Sequence, residues 1–319
     1  MQEAAPKTLS SRGSDPVLAR AAFDAGVGES RKGDHAAAAE SFDRALALDP
    51  AKGEYHYFAG ISYLRLGRLD LARSRCQAAL ALDPTIPTLP MILSQLEMPG
   101  TFYTDLLPMI HAHLRPRTYI EVGVETGQTL CLVLPDTRAI GIDPEPKICH
   151  SLSAGTTLHT MTSDEYFAGH DVQAELGGLP IDLAFIDGMH HFEFALRDFI
   201  NIEKLCTPRS TILIHDCYPL DRFTSERERR VEFWSGDIWR FMLALRKYRP
   251  DLRLHTVATA PTGLGVARGL DPQSRVLEEN FDPIVREFLA LDYSVLDTDK
   301  AGKLALYPND WEKIKTILQ

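Results

Sequence analysis

The first hundred residues contain one pattern twice, with an offset of 34 residues. The positions that coincide are Gly26 with Gly60, Gly33 with Gly67, Ala38 with Ala72, Ala45 with Ala79 and Pro50 with Pro84. The units end in similar strings, RALALDP at 44–50 and QAALALDP at 77–84. Small residues at fixed helical positions let two antiparallel helices approach closely, and the proline ends the second helix. The pattern therefore predicts two helical hairpins, and TIPTLPMILSQLEM (85–98) predicts a further helix.

The period, the small residues and the LDP ending resemble the tetratricopeptide repeat. The resemblance implies stacked helix pairs over residues 19–100, and we interpret residues 1–18 as a disordered leader. Two repeats are fewer than the roughly three that an independent solenoid needs. Two roles stay open for them: a concave surface that binds a peptide or partner protein, or an element for self-association or packing against the rest of the chain.

Charge, hydropathy and cysteine content restrict the classes of function. A formal net charge of −10 argues against a nucleic-acid binder, which needs a basic face. No apolar run approaches the ~18–20 residues that span a bilayer, and the N-terminus lacks the basic-then-apolar pattern of a signal peptide. The five cysteines form no CxxC pair. We therefore expect reduced thiols, no membrane partner and a cytoplasmic location.

From about residue 101, short apolar runs alternate with helical patterns. A first helix ends at Arg115–Pro116. The apolar runs end in acids or glycines and are TYIEVG (118–123), RAIGID (138–143), DLAFID (182–187) and STILIHD (210–216). The alternation predicts a parallel, doubly wound α/β sheet with its site at the carboxyl ends of the strands. Two β-like segments within 252–270 predict an antiparallel hairpin that closes the sheet edge. Residues 271–319 predict a helical extension with one short strand, KLALYP (303–308).

The first two runs have the features of a nucleotide-binding edge. EVGVETG (121–127) predicts a tight turn, in which Gly123 lets a ligand approach the backbone, followed by the N-terminus of a helix. Asp143 ends the next strand, where a carboxylate can accept both hydroxyls of a ribose. Glu121 would repel a pyrophosphate but can hold a cationic amino group, which disfavours a nicotinamide cofactor.

With the acids that end the later runs and the hairpin, these residues resemble the class I S-adenosylmethionine-dependent methyltransferases over 101–270. The similarity is closest to small-molecule O-methyltransferases of the catechol and caffeoyl-CoA type and to bacterial sugar or antibiotic methyltransferases. EVGVETGQTL resembles their motif E-[VI]-G-x-x-x-G, IDGMHHFEFALRD (186–198) resembles I-D-G-x-H-x-[YF]-E with a later aspartate, and ILIHD (212–216) resembles the next strand. The resemblance implies a Rossmann-like sheet and S-adenosylmethionine as the methyl donor.

The resemblance also implies a donor site, position by position. It places Glu121 and Gly123 near the methionine moiety, with Gly127 in the same loop, Asp143 at the ribose, Ser163 and Asp164 at the adenine, and Asp187 beside the donor. Simpler roles stay open for two of these acids. Asp143 is also suited to cap a loop, and Asp164 to cap a helix that begins at Glu165.

Catalysis and metal binding are expected around IDGMHH. In the catechol and caffeoyl-CoA relatives, the aspartate that ends this strand binds a divalent metal, and a lysine three residues later removes the acceptor proton. Asp187 and Asp216 match the two metal-binding aspartates, and His190 occupies the lysine position. Cys217 replaces an asparagine, which leaves a Mg²⁺ or Mn²⁺ site one oxygen ligand short. We expect His190 to be the general base and Asp187 to assist it.

Alternatives remain for the histidines of this region. His190 is also suited to orient the loop by hydrogen bonds alone. His215, Asp216 and His191 together are a ligand set that a transition metal would favour.

The expected reaction is methyl transfer to a hydroxyl on a sugar or another small polar metabolite. We expect the acceptor site in the insertion 217–241, where Trp234 and Trp239 flank Asp237 and would stack on a polar ring. Core packing of both tryptophans is the simpler alternative. Two other functions stay open: a protein or peptide methyltransferase that recruits its target through the repeats, and a non-catalytic nucleoside-binding scaffold.

Overall fold

A computed structural model describes residues 15–319, and the chain divides between Leu96 and Glu97 into two compact units. The helices of the first unit are α1 (Pro16–Arg31), α2 (His35–Leu48), α3 (Gly53–Arg65), α4 (Leu69–Leu82) and α5 (Leu89–Glu97). Helix α1 begins inside the segment 1–18 interpreted as a leader, and residues 1–14 of that segment lie outside the described residues. None of the helices in the described part of the chain has the length and apolar character needed to traverse a bilayer.

The first unit consists of the helical hairpins that the repeat predicts. The repeated alanines are fully buried, and a Cβ atom at Gly26 would lie 2.7 Å from the Phe42 ring. At the equivalent position of the second repeat, a Cβ atom at Gly60 would lie 2.7 Å from the Cys76 sulfur. Each glycine therefore sets the close approach of the two helices in its own hairpin. The further helix predicted within 85–98 is confirmed as α5.

The second unit is a sheet with helices on its two faces. Its elements are α6 (Tyr103–Leu114), β1 (Thr118–Val122), β2 (Arg138–Ile142), β3 (Thr156–His159), α7 (Ser163–Gly169), α8 (Val172–Glu175), β4 (Ile181–Ile186), α9 (Phe192–Glu203), β5 (Cys206–Ile214), α10 (Ile238–Tyr248), β6 (Arg253–Val257), β7 (Leu264–Arg268), α11 (Val276–Glu279), α12 (Phe281–Leu289), α13 (Lys300–Lys303), β8 (Leu306–Tyr307) and α14 (Trp311–Ile317).

The strand order is β3-β2-β1-β4-β5-β7-β6-β8. Strands β1 to β5 pair in parallel, whereas β7 is antiparallel to both β5 and β6. The predicted α/β sheet and the hairpin are confirmed. The prediction that the hairpin closes the sheet edge is wrong, because β8 pairs with β6 and forms the edge. The backbone N–H groups of Thr256 and Ala258 donate to the carbonyls of Ala305 and Tyr307, so the short strand KLALYP occupies the hairpin's outer side.

Both faces of the sheet are covered, which explains the continuous apolar runs of the central strands. On one face, Ile120 and Val122 of β1 lie in a core cluster with side chains of α9 and α10. On the other face, Tyr119 lies in a cluster with side chains of α6 and α14. Burial of each large apolar side chain stabilises the fold by about 1.5–3 kcal/mol. The strands are thereby fixed in register, and the loops that follow them meet at one edge of the sheet.

Candidate active site

A cavity of about 640 Å³ lies at the carboxyl ends of β1, β2, β4 and β5. Of the residues singled out in the sequence, Gly123, Asp143, Ser163, Asp164, Asp187 and His190 line this cavity. Glu121, Gly127 and Asp216 do not belong to its lining. The structure therefore brings six of the nine predicted site residues to one cavity, at the edge where a parallel sheet is expected to carry its site.

The loop after β1 passes very close to the end of β4. Gly123 has a φ of 87°, and a Cβ atom there would lie 2.0 Å from the carbonyl oxygen of Asp187. The N–H of Asp187 donates to the Val122 carbonyl, and the N–H of Gly123 donates to the Ile142 carbonyl. Only glycine fits this position, because any side chain would separate the loop from the strand beside it.

Asp143 holds the same loop through three backbone hydrogen bonds. One carboxylate oxygen accepts from the N–H groups of Val124 and Glu125, at 2.9 and 2.8 Å, and the other accepts from Glu145 at 2.8 Å. An ionised carboxylate offers about four lone-pair sites. Asp143 is thus a loop-capping residue, and it also lines the cavity with about one site left for a ligand.

The α-helix that EVGVETG predicts is absent after β1. In its place the described chain forms a three-residue 3-10 turn, Leu130–Leu132. Gly127 adopts a left-handed conformation, with φ 79°, and Pro135 follows eight residues after it. The intervening segment is too short for a helix with free N–H groups that point at a ligand. The prediction of a helix N-terminus at this place is therefore wrong.

Glu121 lies beneath the cavity instead of in its wall. Its carboxyl group is fully buried and accepts hydrogen bonds from the hydroxyls of Tyr119 and Thr129, at 2.6 and 2.7 Å. Burial raises the pKa of Glu121 to about 8, so most of this carboxyl is neutral at pH 7. Thr129 does line the cavity. Glu121 therefore does not reach the cavity itself and is connected to it through its hydrogen bond with Thr129.

Ser163 and Asp164 lie in the first turn of α7. The cap of this helix is Thr162, which forms a reciprocal capping box with Glu165. The alternative that Asp164 caps the helix is therefore wrong. Asp164 accepts a hydrogen bond from Arg197 at 2.6 Å, and its side chain also lines the cavity.

Four charged side chains meet where β4 and β5 end. His190 lies between two carboxylates: its Nε2 is 3.5 Å from Asp187 Oδ1, and its Nδ1 is 3.0 Å from Asp216 Oδ2. His215 bridges the same two acids, with its Nδ1 3.1 Å from Asp187 Oδ1 and 3.5 Å from Asp216 Oδ1. We call Asp187, His190, His215 and Asp216 the acid–histidine cluster.

The cluster is balanced in charge. Burial on its own lowers the pKa of His190, but Asp216 and Asp187 raise it well above 6.5. The same opposition raises the pKa of His215 to about 10. Burial would raise the pKa values of both aspartates, yet the two imidazoles hold them below 3.8. Each acid of the cluster therefore favours the charged form of the histidines beside it, and each histidine favours the charged form of the acids.

The backbone at two cluster residues is in the left-handed region. His190 has a φ of 55° and Asp216 a φ of 61°, conformations that cost of order 1 kcal/mol or more for residues other than glycine. The His190 ring stacks on Trp234 with centroids 5.1 Å apart, and its Nδ1 lies 3.2 Å from the Trp234 carbonyl oxygen. These contacts hold the strained backbone and fix the imidazole against the cavity.

The donor atoms of the cluster fit a divalent transition metal better than Mg²⁺. Asp187, His190 and Asp216 each offer a ligand atom, and these atoms lie within 4.8 Å of one another. Two carboxylates with one imidazole suit Mn²⁺, Fe²⁺ or Zn²⁺, whereas Mg²⁺ is usually held by oxygen ligands alone. Cys217 is fully buried, and its sulfur is directed to the Ile214 carbonyl at 3.4 Å. Cys217, which the sequence resemblance aligns with an asparagine, is not one of the potential ligands of this cluster.

Sequence reasoning missed two site residues and misplaced a third. It named His215 only with His191, whose Nε2 lies 3.0 Å from the Arg227 carbonyl and outside the cluster. Asp198 is the last residue of the motif IDGMHHFEFALRD, and the sequence alone suggested no role for it. It lines the cavity, and one of its carboxylate oxygens has no hydrogen-bond partner among the described residues. Burial raises its pKa to about 7. The signal for Asp198 in the sequence is its position as the later aspartate of the motif IDGMHHFEFALRD.

The insertion 217–241 contributes one of its two predicted tryptophans. Trp234 lines the cavity, whereas Trp239 is a buried core residue. Asp237 is fully buried and accepts hydrogen bonds from the backbone of Phe192 and from the Arg227 and Arg240 side chains. The alternative of core packing therefore holds for Trp239, and stacking on an acceptor stays a prediction for Trp234.

Comparisons with known proteins agree with this architecture. Residues 120–217 match the family model of a methyltransferase domain, and residues 18–87 match that of the tetratricopeptide repeat. A search of curated proteins finds no match. The chain thus contains a methyltransferase domain with a Rossmann-like fold. More particularly, its residues 120–217 belong to the methyltransferase-domain family, and its N-terminal segment consists of tetratricopeptide repeats.

Three solved structures illustrate the likeness. The O-methyltransferase TomG from Streptomyces achromogenes, in complex with S-adenosylmethionine, is 17% identical with a TM-score of 0.42, over 64% of this chain and 89% of that one. Cofactor-bound Rv0187 from MTB is 14% identical with a TM-score of 0.42, over 56% and 86% of the two chains. The first TPR of Spaghetti (RPAP3), bound to an HSP90 peptide, is 18% identical with a TM-score of 0.26, over 27% and 69%.

Proposed function

We propose that the chain transfers a methyl group from S-adenosylmethionine to a hydroxyl group on a small polar acceptor such as a sugar. The observation that carries this proposal is one cavity lined by the loop after β1, by Asp143 and by three members of the acid–histidine cluster, Asp187, His190 and His215. An in-line displacement needs the sulfonium donor and the oxygen nucleophile in one space, together with a group that removes the proton. The lining of the cavity supports this reaction, because it includes the loop after β1, Asp143 and His190.

The donor is proposed to lie along the ends of β1, β2 and β3. Gly123 leaves room for the methionine moiety at the backbone. Asp143 has about one free acceptor site, which suits one ribose hydroxyl where the sequence suggested two. Ser163 and Asp164, in the first turn of α7, are proposed to contact the adenine. This arrangement follows the family positions, and the cavity lining supports it.

His190 is proposed to be the general base. Its Nδ1 is 3.2 Å from the Trp234 carbonyl, which can only accept a hydrogen bond, so this nitrogen carries a proton. In the neutral imidazole, Nε2 is then the atom that takes the proton from the acceptor hydroxyl. Asp187, whose Oδ1 is 3.5 Å from Nε2, stabilises the imidazolium that forms.

A divalent ion is compatible with this site in one arrangement. Asp187 and Asp216 would hold it, and His190 would complete the ligand set. When bound, the ion would polarise the acceptor hydroxyl and lower its pKa. In that state His190 is a ligand and does not act as the base, so the two arrangements are alternatives that chelation distinguishes.

The acceptor is proposed to lie beside His190 and Trp234. Arg229 and Glu232 lie close to Trp234 in the sequence and also line the cavity. One aromatic face with charged hydrogen-bonding groups suits a polar ring that carries hydroxyls.

For the tetratricopeptide segment, we propose protein binding or self-association, and the match of residues 18–87 to the tetratricopeptide-repeat model supports it.

Replacement of Asp143 by alanine is expected to lower the affinity for S-adenosylhomocysteine at least tenfold. The change removes a hydrogen bond from the ribose to a charged acceptor, typically about 1.5–3 kcal/mol, and it releases the loop that the carboxylate holds. Calorimetry on the full chain measures the effect. Asp136→Ala is the matched control, because Asp136 is exposed and lies outside the cavity lining. Equal affinity in the Asp143 variant would remove this residue from the proposed donor site.

A further inference from the structure

A second cluster of histidines and an acid lies outside the candidate active site, beyond the end of β3. His159 is the last residue of β3, His170 follows α7, and Glu175 ends α8. Nε2 of His159 is 2.8 Å from one oxygen of the Glu175 carboxylate, and Nδ1 of His170 is 2.9 Å from the other. The three potential ligand atoms lie within 4.8 Å of one another.

The surroundings of this cluster hold the imidazoles in place and leave them accessible. The buried Tyr166 ring lies 4.7 Å from the His159 ring and 4.8 Å from the His170 ring. The side chains of His159, His170 and Glu175 are 14%, 32% and 27% exposed. Within residues 15–319, no lysine or arginine forms an ion pair with Glu175. The two histidines are therefore the basic partners of the Glu175 carboxylate, and all three side chains are partly exposed to solvent.

We propose that His159, His170 and Glu175 bind one divalent transition-metal ion, for which Zn²⁺ is the best fit. Two imidazole nitrogens and one carboxylate are a donor set that zinc favours over Mg²⁺ and Ca²⁺. Ligand atoms around a tetrahedral Zn²⁺ are roughly 3.3 Å apart, given bonds of about 2.0–2.1 Å. The three ligand atoms lie within 4.8 Å of one another, so they would have to draw closer to form a coordination shell. Water from the exposed side fills the fourth position.

The expected role of the ion is structural. It would join the two ends of the segment 159–170, which contains Ser163 and Asp164 of the cavity lining. The backbone N–H of Asp143 also donates to the His159 carbonyl at 3.1 Å. The ion would thus brace the cavity wall that the proposed function assigns to the adenine. This consequence rests on the proposed function, whereas the binding of the ion does not.

Zinc retention by the full chain tests the proposal. Wild-type protein is stripped with a chelator, incubated with Zn²⁺, desalted and analysed for metal by mass spectrometry. We expect the zinc content of His170→Gln and of His159→Gln to be lower than that of wild type by about one ion per chain. His150→Gln is the matched control, because His150 is exposed and lies outside both clusters. Because Asp187 is a potential ligand of the acid–histidine cluster alone, His170→Gln should cause the same loss of zinc in an Asp187→Asn background, which separates the two sites.

A second readout uses Co²⁺ in place of Zn²⁺. Wild-type protein should show the visible absorption of a four-coordinate cobalt site, and Glu175→Gln should lose it while its far-ultraviolet circular dichroism stays native. Equal zinc content in wild type and in both histidine variants would overturn the proposal, as would the absence of retained zinc in wild type. Because bound metal is measured directly, either result is independent of whether the chain binds S-adenosylmethionine.

Discussion

Replacement of His190 by glutamine is expected to lower turnover by roughly 10²–10⁴-fold while leaving the affinity for S-adenosylhomocysteine close to that of wild type. The imidazole is the group next to the cavity that can take the acceptor proton, and it lies between Asp187 and Asp216. Production of S-adenosylhomocysteine, measured with the best acceptor from a panel of hydroxylated small molecules, reports the effect. His191→Gln is the matched control, because its ring contacts the Arg227 carbonyl outside the cluster.

The pH dependence separates a base from a residue that only orients the loop. The two aspartates overcome the effect of burial and raise the pKa of His190 well above 6.5. Since only the neutral imidazole accepts a proton, turnover should rise with pH into the alkaline range. The rise should disappear in His190→Gln. Near-normal turnover of this variant would contradict the assignment. Activity that persists in chelator would favour the base over the arrangement with an exchangeable metal.

Replacement of Asp237 by alanine is expected to lower the free energy of unfolding by about 3–5 kcal/mol. The buried carboxylate accepts from the Phe192 N–H at 2.9 Å and from Arg227 and Arg240 at 2.7 and 2.8 Å. Its removal leaves Arg240, whose side chain is only 13% exposed, without its acidic partner. Urea denaturation measures the loss.

The control for this prediction is an exposed ion pair. Arg222 and Asp292 interact at 2.6 Å, but both side chains are more than half exposed. Arg222→Ala breaks this pair and leaves the hydrogen bond from the Ser294 N–H to Asp292 in place, so it should cost no more than about 1 kcal/mol. If Asp237→Ala kept wild-type stability and instead raised the KM for the acceptor, Asp237 would be a substrate contact and its structural role would be refuted.

The fold was predictable where local pattern and burial agree. The runs before Gly123, Asp143, Asp187 and Asp216 are strands because both faces of the sheet are covered, and continuous apolar sequence satisfies both. The edge strand β8 was harder to place. It has two residues, and its position depends on backbone hydrogen bonds to a strand about 50 residues away. Local sequence does not encode such pairing.

The site was predictable in position but not in its electrostatics. The spacing of glycines and acids located the cavity, because parallel strands end at one edge. It did not indicate that Glu121 is buried and mostly neutral, since this follows from tertiary packing around its carboxyl group. Nor did it reveal that His215 joins His190, because the convergence depends on the left-handed backbone of Asp216. Charge states in the cluster arise from four side chains contributed by two strand ends.

Calorimetric titration of the full chain with S-adenosylhomocysteine, with NAD as the comparison, tests the central claim most directly. The cavity is lined by a glycine loop, by Asp143 and by Asp187, His190 and His215 of the acid–histidine cluster, which suits a methyl donor beside a proton acceptor. We predict saturable binding of S-adenosylhomocysteine at one site per chain and no detectable heat with NAD. Binding of NAD without binding of S-adenosylhomocysteine would contradict the proposed methyl donor and the reaction derived from it.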